Sequence, residues 1–274
     1  MNYSGLEWFA GVALGRMLFS LLEGTLLSLL VSLAIRFLPG KSSQTRFILW
    51  LTALLASAAL PFLLYTGWSQ GVPGGVAKHE AVLISAGLAI CIFLGWFTLA
   101  IVGLVRVAVG VAGLRRLRKA SSELDPELLP VSLRAEVELL QAKRKITLLV
   151  SSSLSVPTAI GFLRPAVVLP QWLVDEAGEA ELKHLVLHEL AHLRRWDDWT
   201  NLAQKVIKAL LFFHPAIWWM ERRLSLDREM ACDDAVLAST GTPRIYAELL
   251  ARMAEKSFLR RQIALAQAAV GHLT

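Results

Sequence analysis

Residues 188–192 read His-Glu-Leu-Ala-His, inside the run EAELKHLVLHELAHLR at 179–194. On a helix, residues four apart lie on one face, so the imidazoles of His188 and His192 can bind one metal ion. Glu189, between them, is rotated off that face and can act as a general base on water at the metal. The context is helical. Leu182, Leu185, Leu187, Leu190 and Leu193 recur at helical spacing, and Glu179 to Lys183 give the run a charged start. The stretch implies a helix that carries half of a zinc-hydrolase site.

A catalytic zinc needs a third protein ligand and an open position for water. Asp198 lies six residues after His192, the spacing of metzincin-type third ligands. That arrangement places a glycine where this chain has Arg195. Glu229 is the better candidate. It opens the stretch Glu229-Met230-Ala231-Cys232-Asp233, which sets Asp233 one helical turn later on the same face. From there a carboxylate can accept the second N–H of a zinc-bound histidine and fix its orientation. Two His and one Glu as ligands, with a supporting Asp, is the gluzincin arrangement. Glu229 and Asp233 without the motif at 188–192 would read as a solvated helix face beside Arg228.

Working toward the N-terminus, the composition departs from that of a soluble protein. The 274 residues are 55% hydrophobic and 18% charged, with mean hydropathy +0.53; soluble domains carry about 25% charged residues. Residues 47–68 and 81–105 contain no charge, and each run is long enough to cross about 30 Å of hydrocarbon. Residues 17–38 form a third span, interrupted by Glu23 and by Arg36, which can snorkel to the interface. Glu23 is expected to pack against a neighbouring helix. The first forty residues lack the basic leading region of a cleaved signal peptide. Cys91, inside the third span, and Cys232, in a distant helical stretch, do not read as a disulfide framework, and Cys91 is expected as a small buried filler.

The net charge of +6 has a topological reading. Arg36, Lys41 and Arg46 flank the loop between the first two spans, and Arg106, Arg115, Arg116, Arg118 and Lys119 follow the third. The loop at 69–80 has only Lys78. The positive-inside rule then puts the N-terminus outside and everything after Arg106 in the cytoplasm. The cluster at 115–119 is expected to anchor at the membrane surface, and no direct nucleic-acid partner is expected.

The chain thus divides into a transmembrane region at 1–112, a basic anchor, linker and short helix at 113–145, a zinc metallopeptidase domain at 146–257, and a tail at 258–274. Residues 132–145 read as a short amphipathic helix. Residues 146–151, 157–162 and 166–169 are short apolar runs set off by Gly161, Pro165 and Pro170, and imply a sheet of two to four strands. Such a sheet commonly offers an edge on which an extended peptide can pair. Helices are expected at 198–223, 224–239 and 244–256, with a break at Thr240-Gly241-Thr242-Pro243. The apolar run at 209–220, ALLFFHPAIWWM, is too short to span and is expected to lie at the interface, with Trp218 and Trp219 at headgroup level. His214 within it reads as a structural residue. The fold class is therefore a mainly α membrane protein: three N-terminal transmembrane helices, then a cytoplasmic α+β gluzincin-type zinc metallopeptidase domain with a small β-sheet.

Four stretches, HELAHLRRWDDWTN at 188–201, FHPAIWW at 213–219, REMACDDAVL at 228–237 and VPTAIGFLRPAVVLP at 156–170, resemble the membrane metallopeptidases of the β-lactam sensor-transducer (antirepressor) type. The resemblance covers about residues 1–255. It implies one Zn2+ on His188, His192 and Glu229, Glu189 as general base, and Asp233 and Asp197 as supporting residues. It also implies a protein or peptide substrate such as a transcriptional repressor, cleaved in answer to a signal from outside the cell; a homodimer is compatible with it. The sequence departs from that family in one respect: no Ser-x-x-Lys acylation motif occurs, so β-lactam sensing is not implied. The chain is expected to be either a fragment of a longer protein or a short member whose signal arrives from elsewhere.

The expected chemistry is metal-assisted peptide hydrolysis with Glu189 moving the proton. Tyr246 is a candidate donor to the tetrahedral oxyanion. Two other readings share parts of this pattern. A general membrane quality-control zinc protease, similar to the CAAX-prenyl or heat-shock membrane peptidases, would use the same chemistry. A non-catalytic membrane signalling scaffold would keep the metal fold, but loss of the base would be its mark.

Overall fold

The long uncharged runs form helices, as backbone groups must pair internally wherever lipid replaces water. The computed structural model describes residues 3–37, 40, 42–68, 86–125, 127, 129–141 and 144–255. Residues 69–85, which include the start of the expected third span, lie outside the described residues, as do 256–257 and the tail at 258–274. The chain divides into two units, Met1–Val109 with Thr200–Glu229, and Gly110–Trp199 with Met230–Thr274. The division is not sequential: residues 200–229 group with the N-terminal helices rather than with the rest of the expected peptidase segment.

The first unit is built on α1 (Tyr3–Phe37), α2 (Ser43–Trp68) and α3 (Ala86–Ala120), which runs on into the second unit. Each contains a stretch long and apolar enough to span a bilayer: Ala10–Phe37, Ser43–Pro61 and Gly87–Ala120. Leu22, Leu26, Leu29 and Leu33 of α1, and Leu94, Leu99 and Val105 of α3, are exposed, as lipid-facing side chains are. Helices α1 and α2 begin before the expected spans, and α3 continues past its expected end to Ala120. The first begins at Tyr3 rather than near Met17, since Glu7 and Arg16 break its hydropathy without breaking its helix. Cys91 is exposed on α3, not buried as expected. The Glu23 side chain buries Oε2 without a hydrogen-bond partner.

Two further helices complete this unit, α7 (Asp197–Leu210) and α8 (Pro215–Thr240). The sequence reading ran one helix through His214 and broke the next at Leu224; the break instead falls at 211–214. Proline disfavours helical backbone in the residue before it and suits the first helical position, and Pro215 starts α8 accordingly. His214 caps that start, its Nδ1 accepting from Ala216 N at 3.2 Å while Nε2 donates to Ser20 O of α1 at 2.8 Å. A Cβ on Gly24 would stand 2.3 Å from His214 Nε2, so the close approach requires glycine there. The run at 209–220 is only half interfacial. Ile217 and Met220 pack with Phe47, Trp50 and Leu54 of α2, and Trp219 meets Trp50 edge-on at 5.0 Å, whereas Trp218 is exposed.

The second unit contains a four-stranded sheet of β1 (Ser122–Glu123), β2 (Thr147–Ser151), β3 (Thr158–Ile160) and β4 (Ala166–Pro170), in the order β1-β2-β4-β3. Strands β2 and β4 pair in parallel, and the other pairs are antiparallel. All five residues of β4 are buried, which explains its unbroken apolar run. The segment at 120–129 was expected as linker alone, yet it contributes β1; two polar residues carry no strand periodicity to read. Helix α4 (Val131–Gln141), the short α5 (Gln171–Glu176), α6 (Glu179–Arg194), the end of α8 and α9 (243–255) surround the sheet. Their core joins Leu133 and Val137 of α4, Leu148, Val167 and Leu169 of the sheet, Leu182, Val186 and Leu193 of α6, and Val236, Tyr246 and Leu249. Arg118, expected at the membrane surface, turns instead onto the sheet, donating to Thr147 Oγ1 at 3.0 Å and to Arg164 O. The molecule is a mainly helical membrane protein with a small mixed sheet.

Candidate metal centre

Helix α6 presents His188 and His192 with ring centroids 4.9 Å apart. Each Nδ1 meets a carboxylate. That of His192 lies 2.9 Å from Asp197 Oδ2, and that of His188 lies 3.1 Å from Asp233 Oδ1. A neutral ring whose Nδ1–H donates to a carboxylate carries no proton on Nε2, which leaves Nε2 available to a metal. Glu229 stands one turn before Asp233 on the continuous helix α8. One ligand atom each from His188, His192 and Glu229 lies within 4.8 Å of the others. Two neutral imidazoles and a carboxylate at this spacing fit a tetrahedral zinc with one position left for water.

Glu189, one residue on from His188, reaches the sheet. Its Oε2 accepts from Ala159 N at 2.6 Å. Strand β3 is an outer strand, and this N–H is directed at the side chain of α6 rather than into the ladder with β4. The hydrogen bond fixes one carboxylate oxygen. Sequence reasoning missed it because the donor is a backbone group, which no residue type announces.

Tyr246 is buried, and its hydroxyl donates to Asp233 Oδ1 at 2.7 Å while lying 3.0 Å from His188 Nδ1. The sequence reading offered it to an oxyanion. Here its one hydroxyl hydrogen is given to Asp233. Burial, then the hydrogen bond and charge of Asp233, push its pKa far above the usual tyrosine value. It therefore stays a neutral donor. His184, a turn before His188, stacks on Tyr246 at 5.6 Å and meets Thr242 Oγ1 at 2.8 Å, which fixes the start of α9 against α6.

Asp198, the other third-ligand candidate, is spent elsewhere. It forms a buried ion pair with Arg144 at 2.6 Å. Arg144 also donates to Leu193 O at 2.7 Å and Phe162 O at 3.2 Å, and its guanidinium lies 4.0 Å over the Trp196 ring. The clamp holds the α6–α7 turn that carries Asp197 to His192. Cys232 is the other unforeseen neighbour. Its Sγ lies 3.3 Å from His192 Nδ1 and 3.7 Å from Asp197 Oδ2. Burial pushes this thiol's pKa up, against the opposing effect of His192. These contacts support the His192–Asp197 pair from its buried side, and the three side chains also stand close enough together to hold a metal ion.

Residues 16–271 match the model of the family described as BlaR1 peptidase M56. The chain is 32% identical over 95 residues to the methicillin resistance mecR1 protein of Staphylococcus aureus, covering 35% of this chain and 16% of that protein. It is 30% identical over 100 residues to the regulatory protein BlaR1 of Bacillus licheniformis, covering 36% of this chain and 16% of that protein. These matches span about a sixth of the length of either relative. With the family model extending over most of its length, the chain belongs to the BlaR1 peptidase M56 family of membrane metallopeptidases.

Proposed function

We propose that the chain is an integral membrane zinc endopeptidase of the gluzincin type, acting in signal transduction by cleaving a cytoplasmic repressor or itself. The observation that carries this reading is the convergence of His188, His192 and Glu229, with a carboxylate behind each ring. His188, His192 and Glu229 would hold the metal. A zinc ion bound there supplies a Lewis acid and a lowered water pKa, near about 7. Glu189, held by Ala159 N, takes the proton of the attacking water and returns it to the leaving amine. Asp233, with Tyr246 donating to it, holds His188, and Asp197 holds His192; all three are positioning residues. An extended substrate would run along the outer edge of β3, beside Ala159, whose N–H fixes Glu189.

The distribution of Lys and Arg favours an outside N-terminus and a cytoplasmic peptidase domain in the cell membrane. The ligand set is tested by metal content. Glu229→Ala is expected to lose bound zinc and Asp198→Ala to keep it, and the reverse result would replace Glu229 by Asp198. Quality-control proteolysis is the rival within the same chemistry. Cleavage of unfolded membrane proteins in place of one regulatory target would favour it.

A further inference from the structure

The turn between β3 and β4 holds an apolar residue out into solvent by means of two arginines. Leu163 is 85% exposed at its tip. The carbonyl before it, Phe162 O, accepts from Arg144, and the carbonyl after it, Arg164 O, accepts from Arg118 in the last turn of α3. Gly161 opens the turn at φ +94°, where a Cβ would lie 2.6 Å from Arg164 O. The tip therefore has little freedom to fold its leucine inward.

Beside it, Phe162 meets Trp199 edge-on at 5.4 Å, and Arg144 lies over Trp196. Trp196 is 52% exposed and Trp199 40%. The Trp196 backbone has φ 61°, a left-handed conformation that is unusual for a bulky residue. Single exposed apolar residues need no explanation, but a leucine and two tryptophans gathered on one rigid patch do. Lys145 and Arg164, next in sequence to Arg144 and Leu163, are exposed.

We propose that this patch seats in the headgroup layer of an anionic leaflet, with Leu163 as the wedge and Trp196 and Trp199 at the interface. Tryptophan favours that layer, and the flanking cations complement anionic lipid. Continuity supports this occupant. Arg118, which fastens the tip, lies on the helix that contains the span Gly87–Ala120 and ends in the exposed cations Arg115, Arg116 and Lys119. The inference is independent of the catalytic reading.

The test uses the full chain in nanodiscs, with Cys91→Ser and an environment-sensitive fluorophore on Leu163→Cys. The comparison label is on Val131→Cys, 79% exposed at the start of α4. In discs containing phosphatidylglycerol, headgroup-level nitroxide lipids should quench the 163 label severalfold more than the 131 label. Trp196→Gly, which suits the left-handed backbone, should lower that quenching without unfolding the protein. Equal quenching at 163 and 131 overturns the proposal. So does equal protection in purely neutral lipid, or protection only in discs holding two copies, which would make the patch a protein interface.

Discussion

Asp197 Oδ2 lies 2.9 Å from Nδ1 of His192, across the turn that separates α6 from α7. The carboxylate is 4% exposed, also contacts Arg195 Nε at 3.4 Å, and receives the Cys232 thiol. A buried carboxylate in this position fixes the imidazole tautomer and orientation. Asp197→Ala should therefore weaken zinc affinity by about 10–100-fold while leaving the fold intact. Competition with a chelator, followed by metal analysis, measures it; unchanged affinity would reduce Asp197 to a packing residue.

Tyr246→Phe separates two roles. A positioning hydroxyl on Asp233 predicts a severalfold loss of zinc affinity, with kcat at saturating zinc nearly unchanged. An oxyanion donor predicts a fall in kcat of about 10²–10³-fold at unchanged zinc affinity. Steady-state cleavage of a peptide at several zinc concentrations distinguishes them, and the first outcome is expected.

Arg144 and Asp198 form a pair whose side chains are each 7% exposed. Removing one partner leaves the other buried and unpaired, at a cost of about 3–5 kcal/mol. Arg144→Ala should be the more damaging change, since it also frees Leu193 O and Phe162 O. Thermal unfolding in detergent should show a lower Tm for Arg144→Ala than for Asp198→Ala, with both below the parent. Equal and small shifts would contradict the clamp.

Acid should destabilise the helical unit through two groups. Burial lowers the pKa of His214, against its hydrogen bonds to backbone. Burial raises that of Glu221, but Lys205 and Lys208, each 2.5 Å away, outweigh it and leave the carboxyl below its usual value. For both, the unfolded state binds the proton more readily. Their stability is full above the unfolded pKa and is lost as pH falls through the folded value. Unfolding midpoints should drop first between pH 7 and 5 through His214, then again below pH 5 through Glu221. Replacing His214 by Gln should remove the first drop selectively.

Much of this architecture is legible in the chain because it depends on spacing. The spacing of four from His188 to His192, and again from Glu229 to Asp233, is about one helical turn. The spans follow from length without charge. Strands β2, β3 and β4 follow from short apolar runs between glycine and proline. What escaped depends on pairing over distance or on backbone. Arg144 and Asp198 are 54 residues apart, and neither alone differs from a surface charge. Ala159 acts through its N–H. The Ser122–Glu123 strand exists only because β2 offers it a partner. His214 looked structural in the sequence, but its role as the cap of α8 and its bond to Ser20 O required the fold.

The central claim is that Glu189 performs proton transfer at a zinc held by His188, His192 and Glu229. Zinc content and peptide cleavage measured together on purified full-length protein and on Glu189→Gln test it most directly. Equimolar zinc in both proteins, with cleavage only in the parent, is the expected result. Undiminished cleavage by Glu189→Gln, or a parent that cleaves without binding metal, would contradict it.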